Sequence, residues 1–249
     1  MERSIYLLRP RIERLAVVTT QVEVALGSLD PRALVSKYCP YFDSIRPKNN
    51  YDWFRRGLFA FSSVHTTWQR NVELYRELWD LAWLTSRKDL HARIVRSGAG
   101  LSNNRTEYIW KFAEEFWKNP SFYRKTPEES WTAFRDRLQK ATLGLGHAKT
   151  SFFIEMCYFQ EAGVICIDTH ILQAYGLTGN KSHSTKKMNE IESHWLSVCD
   201  SRGIPAVVGR WAYWDAKQNQ SDSRYWSYAL EGQPAKFNGT PVQMELWLP

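Results

Sequence analysis

The segment Leu143-Gly144-Leu145-Gly146 lies between two stretches of helical periodicity, and it constrains the fold more than any other feature of the chain. Upstream, Trp131, Phe134 and Leu138 recur at three- and four-residue spacing; downstream, Phe152-Phe153-Ile154 and Met156-Cys157 begin a new apolar run. Two glycines so close together interrupt a helix, which predicts a pair of helices joined by a glycine hairpin. Such a turn points consecutive backbone N–H groups outward and adds the positive end of the second helix, a nest suited to a phosphate. The residues alone admit two readings: a phosphate clamp, or a plain turn between packed helices.

The same periodicity predicts an all-α chain. Leu58, Phe61 and Val64, then Val72, Tyr75, Leu78, Trp79 and Trp83, read as two helices broken near His65-Thr66-Thr67. Tyr108, Phe112 and Phe116 mark a third helix after the loop Gly98 to Asn104. A fourth starts at Thr126-Pro127-Glu128-Glu129, with Thr126 as N-cap, Pro127 at the first helical position and Glu129 completing a capping box. Val164-Ile165-Cys166-Ile167 leads into Asp168-Thr169-His170, and the helix that follows stops at Gly176. Residues 178–185 are the expected mobile loop, and the stretch after Glu231 is turn-rich and expected to wrap over the core.

A net charge of +7 favours a polyanionic partner, since Lys and Arg at phosphates release condensed counterions. No run of apolar residues is long enough for a membrane helix, and the N-terminus lacks the apolar core of a secretory signal. The expectation is a cytoplasmic, DNA-associated protein with no membrane and no obligate protein partner. Cys39, Cys157, Cys166 and Cys199 are scattered, which suggests reduced thiols and neither a zinc site nor an iron–sulfur cluster.

Asp168 alone reads as the N-cap of its helix. Taken together, "LGLGHAKTSFF" and, a short way on, "VICIDTHILQAYG" resemble the helix-hairpin-helix DNA glycosylase superfamily, whose hairpin is followed by an aspartate opening the next helix. The resemblance runs from about Leu58 to Gly176 and includes the glycine-led helix at Gly100-Leu101-Ser102. It implies a two-lobed, all-α fold with a cleft between the lobes, organised as one unit over 1–249. Within it, about 55–140 would form a helical lobe with the wedge loop, 130–176 the hairpin and aspartate, and 1–54 and 177–249 variable regions packed on the core.

The resemblance further implies site residues. Leu143, Gly144, Leu145, Gly146, His147, Lys149 and Thr150 would contact double-stranded DNA, and Val64, His65 and Thr66 would fill the gap left by an extruded base. His65 also reads as an ordinary polar residue at a helix end. Asp168 would be catalytic, its carboxylate stabilising positive charge on the sugar as the base departs. Bifunctional relatives carry a Schiff-base lysine where this chain has Ala148; Lys149 is one residue further, about 100° around the helix, and is expected to face the flank. A water-using, monofunctional enzyme follows, with Lys149 the lesser catalytic candidate. Gln173 replaces an arginine frequent in relatives. No cofactor is implied beyond a monovalent cation at the hairpin backbone, and no metal site.

Trp68, Arg210, Trp211, Trp214, Asp215 and Tyr225 are candidates for the base pocket, although such aromatic density also describes a packing layer. The "GLGHAKTSFF…IDTH" form is similar to a phage- and bacteria-associated branch whose members include glutamyl/putrescinyl thymine pyrophosphorylases. That likeness implies removal of a bulky hypermodified pyrimidine, in repair or in defence against phage. Its alternatives are a transferase that builds such a base by displacing pyrophosphate, and a non-catalytic DNA-binding module.

Overall fold

A computed structural model describes residues 22–177 and 183–217, with the backbone of 236–237 and 240–241. After a helical stretch at 22–27 come ten helices: α1 (Pro31–Ser44), α2 (Asn50–Ser62), α3 (Trp68–Leu78), α4 (Arg87–Ser97), α5 (Ser102–Lys118), α6 (Trp131–Ala141), α7 (His147–Cys157), α8 (Thr169–Ala174), α9 (Thr185–Ser201) and α10 (Ala206–Lys217). Single 3-10 turns occupy Ala82–Thr85 and Pro120–Tyr123. The only described extended pairing is a two-residue antiparallel ladder, β1 (Lys236–Phe237) with β2 (Thr240–Pro241).

Polar caps set most of the helix starts. Asn49, Thr67, Ser86 and Ser184 each accept a hydrogen bond from an N–H in the first turn of the following helix. The helix expected from Thr126 starts instead at Trp131, because Ser130 Oγ accepts from Ala133 N at 3.1 Å. Thr126 N–H still donates to Glu129 at 3.1 Å, but Arg137 holds that carboxylate from 2.7 Å and the segment closes as a turn.

α2 is the central helix, buried on every side from Arg56 to Ser62, as a helix apolar all round must be. It packs against α3 and α5 on one side and α7 on the other. Phe54 stacks on Phe112 of α5 at 5.2 Å and 9°. Gly57 permits that approach, since a Cβ there would lie 2.3 Å from the Phe112 ring. Helices α2 to α5 thus form one lobe. In the other, α1 and α9 pack on α10, and Trp211 of α10 meets Phe42 of α1 at 4.2 Å. The α6–α7 pair joins the two through the contact of α7 with α2. Residues 178–182, in the loop expected to be mobile, and all of the stretch after Glu231 except β1 and β2, lie outside the described residues.

Candidate active site

The hairpin falls where the glycines predict it, between α6 and α7. Gly144 has φ 92°, the left-handed region, and a Cβ there would sit 2.4 Å from the Tyr108 ring. Gly146 opens α7 without a side-chain cap and with nothing within 4 Å of a Cβ, so its backbone faces open space. Leu145 is buried and anchors the turn, whereas Leu143 is 52% exposed. Two expected DNA contacts turn inward. Thr150 is buried, its hydroxyl donating to Leu145 O at 3.4 Å. Both His147 ring nitrogens are shut from solvent with no partner among the described residues. Burial, with Arg135 nearby, pushes the His147 imidazole down to about 4, so at neutral pH it brings no charge to the turn.

The break between α2 and α3 carries His65, exposed and at φ 45°. Arg105 of α5, itself buried, braces it. Its guanidinium donates to Phe61 O at 2.8 Å, to Val64 O, and to Gly100 O at 2.9 Å, which ties the turn to the loop before α5. Leu101, 52% exposed at φ 51°, stands on that loop. Val64, His65, Leu101 and hairpin residues 143–146 line one groove. Burial lowers the Arg105 pKa, and its guanidinium donates to carbonyl oxygens of Phe61, Val64, Ala99 and Gly100. Sequence reasoning missed this brace; an arginine after a glycine-led helix start was its signal.

Asp168 is reached by a fully buried segment, Val164 to Ile167. Two of its amides are held by buried carboxylates: Ile165 N donates to Glu192 at 2.9 Å and Cys166 N to Glu155 at 2.7 Å. Each carboxylate is in turn paired with an arginine. Arg135 Nη1 meets both Glu192 oxygens at 2.7 Å, and Arg210 grips Glu155 through Nε and Nη2, also at 2.7 Å. Asp168 then caps α8, Oδ1 accepting from His170 N at 2.9 Å and Ile171 N at 3.0 Å. Oδ2 accepts from Arg210 Nη1 at 3.3 Å. Burial opposes the Arg210 charge, but Glu155 and Asp168 outweigh it and raise its pKa. Burial pushes the Glu155 carboxyl up while Arg210 and Cys166 N–H pull it back; the forked 2.7 Å geometry is that of an ion pair.

Asp168 keeps 21% of its side chain exposed, and it opens on a cavity of about 620 Å³ counting the open mouth. Thr66 and Asn71 come from the turn after α2 and from α3, Lys149 and Phe152 from α7, and Arg210, Trp211 and Trp214 from α10. Lys149 is therefore in the pocket rather than on the flank: its long stem lies over Phe152, with Nζ 5.4 Å from the ring centre. A 100° turn moves a Cβ, but a side chain of four methylenes spans that difference. Cys166 also lines the pocket, and burial pushes its thiol up to about 12, which removes it as a nucleophile.

Of the other pocket candidates, Arg210, Trp211 and Trp214 do line the cavity, and Trp211 is at the same time core, at 2% exposure. Asp215 is not in the pocket. One residue round α10 from Trp214, it is buried and accepts from Tyr38 OH of α1 at 3.4 Å. The Trp68 side chain and Tyr225 lie outside the described residues. Gln173 is exposed on α8. Among the described residues no group of three or more His, Cys, Asp or Glu is placed to hold a metal, and no helix is long and apolar enough to cross a membrane.

No protein-family model matches the chain. In sequence it is similar to the 8-oxoguanine DNA glycosylase/AP lyase of Methanocaldococcus jannaschii, 25% identical over 148 residues, which cover 59% of this chain and 69% of the relative. Its fold matches the crystal structure of the M. jannaschii 8-oxoguanine DNA glycosylase with a TM-score of 0.66 at 20% identity, over 82% of this chain and 95% of that one. A structure of the M. jannaschii enzyme with a 15mer DNA containing 8-oxoguanine gives 0.63 at 22% identity, over 82% and 98%. The 8-oxoguanine DNA glycosylase of Thermotoga maritima gives 0.64 at 15% identity, over 84% and 99%. The chain thus has the fold of these 8-oxoguanine DNA glycosylases, and with one of them it shares a detectable likeness in sequence.

Proposed function

We propose that this protein is a DNA N-glycosylase that draws one altered base out of the duplex into the pocket over Asp168 and cleaves its bond to the sugar. The observation that carries this reading is the convergence of three elements on one cavity: the wedge turn, the hairpin helix α7 and the doubly anchored Asp168. The turn made by Gly144, with the exposed backbone at Gly146, receives a phosphate, and His65 and Leu101 enter the stack where the base has left. The glycosidic bond breaks with its electron pair leaving on the base, which takes up a proton. The Asp168 carboxylate stabilises the positive charge on the sugar, and water adds to C1′ with loss of a proton, leaving an abasic site.

A second reading is favoured by the place of Lys149. Its amine lines the same pocket and would attack C1′ in place of water, forming an imine that leads on to strand cleavage. The relative's name includes AP lyase activity.

Two substrates are proposed. 8-Oxoguanine is named for the relatives, and a hypermodified pyrimidine, met in phage DNA, follows from the sequence resemblance. The test is incubation with duplexes carrying each base, scoring abasic sites, strand breaks and borohydride-trapped complexes. Abasic sites support the glycosylase, and a trapped complex adds the lyase. A mass change in the nucleoside with release of pyrophosphate would replace both by the transferase. No reaction on any duplex would leave DNA binding alone.

A further inference from the structure

One wall of the pocket takes no part in bond cleavage. Asn71, one turn into α3, lines the cavity and is 4% exposed. Its Oδ1 is shut from solvent and accepts no hydrogen bond from any described residue. Its neighbours Val72, Leu74, Tyr75 and Leu78 on α3 are core, so a polar side chain at this depth is the exception on its helix. Native interiors leave few such groups unpaired, and a leucine, which has the same branched skeleton with no polar atoms, would carry no such cost. Nearby hydroxyls do not serve it: Ser63 Oγ donates to Ala60 O at 2.7 Å, and Thr67 Oγ1 accepts from Arg70 N at 3.4 Å.

Phe152, Trp211 and Trp214 add aromatic surface to a lining that is otherwise polar, and Asp168 and Lys149 bring the groups proposed for the sugar into the same cavity. A carboxamide is the side chain whose acceptor and donors match an adjacent N–H and C=O on a base edge. We infer that Asn71 reads the edge of the extruded base, selecting one that presents an N–H donor beside a C=O acceptor. Both proposed substrates carry such an edge, N7–H beside O8 in 8-oxoguanine and N3–H beside O4 in a thymine-type pyrimidine. The inference rests on the glycosylase reading for its substrate, but it is testable apart from cleavage.

The test compares wild type with Asn71→Leu on the duplex that wild type processes fastest. The variant is expected to cleave roughly 10- to 100-fold more slowly in single turnover, while binding a duplex with a tetrahydrofuran abasic site, which has no base to read, as tightly as wild type. It is also expected to melt at a higher temperature, because an unpaired polar group has left the interior. A purely structural Asn71 predicts the reverse, a lower melting temperature with abasic-site affinity falling alongside the rate. Unchanged cleavage with unchanged selectivity overturns the inference. If wild type cleaves no duplex, the glycosylase reading fails, and affinity decides the inference by itself. Wild type should then bind an altered-base duplex more tightly than the abasic one, with Asn71→Leu losing the difference; equal loss or no difference overturns it.

Discussion

Two buried arginine–glutamate pairs hold consecutive amides of the chain leading to Asp168, and they differ in how the arginine is gripped. Glu192 faces Arg135 end-on, both oxygens on Nη1, and Nη2 reaches only Asn189 Oδ1 at 3.4 Å. Glu155 takes Arg210 from the side, through Nε and Nη2, which leaves Nη1 directed at Asp168. The first pair fixes Ile165 and runs out to Asn189 and Asp136, both exposed, away from the pocket. The second fixes Cys166 and ends on a carboxylate open to the pocket. A fork held on one side orients its third nitrogen, so the same residue types give a brace in one place and a positioning group in the other. Sharing Arg210 with Glu155 also leaves the three-group cluster with a net negative charge for the sugar to meet.

The difference can be broken from the largest effect downward. Arg135→Met strands Glu192 in the interior and is expected to cost about 3–5 kcal/mol, read as a lower urea midpoint. Replacing whole pairs sharpens the contrast. Arg135→Met with Glu192→Leu should lose only about 1–3 kcal/mol for the orphaned Ile165 N–H and keep the excision rate within about 3-fold. Glu155→Leu with Arg210→Met should lose similar stability but slow excision about 10- to 100-fold, with DNA affinity retained. Equal rates for the two double variants would erase the distinction.

The smallest effect lies at the hairpin. The folded His147 pKa, about 4, is below the ordinary 6.5, so the unfolded chain binds the proton more readily. Stability is full above pH 6.5 and is lost as pH falls toward 4, on the order of 1 kcal/mol for a side chain that is only half-buried as a whole. His147→Gln should flatten that slope in urea titrations across pH 4 to 7; an unchanged slope would place the titrating group elsewhere.

What could be read from the sequence was local. The glycine hairpin, the aspartate cap and the break at His65 each depend on a few adjacent residues whose backbone preferences leave little choice. Thr126 was misread because two capping residues four apart compete, and the tertiary pull of Arg137 on Glu129 decides between them. Lys149 was misplaced because a helical wheel fixes where a side chain starts, not where a long one ends. Glu155 stood as a lone carboxylate in the apolar run Phe152-Phe153-Ile154-Glu155-Met156, a sign that it needed a partner. That the partner was Arg210, 55 residues away, was beyond any local pattern. Asn71 gave no signal in a stretch of mixed polarity, since its isolation exists only after α3 packs.

Single-turnover release of the altered base, by wild type and by Asp168→Asn at saturating protein, tests the account most directly. Wild type should leave an abasic site, and the variant should bind the same duplex as tightly yet release base at least about 100-fold more slowly. An Asp168→Asn protein that excises at the wild-type rate would contradict the assignment of catalysis to this carboxylate.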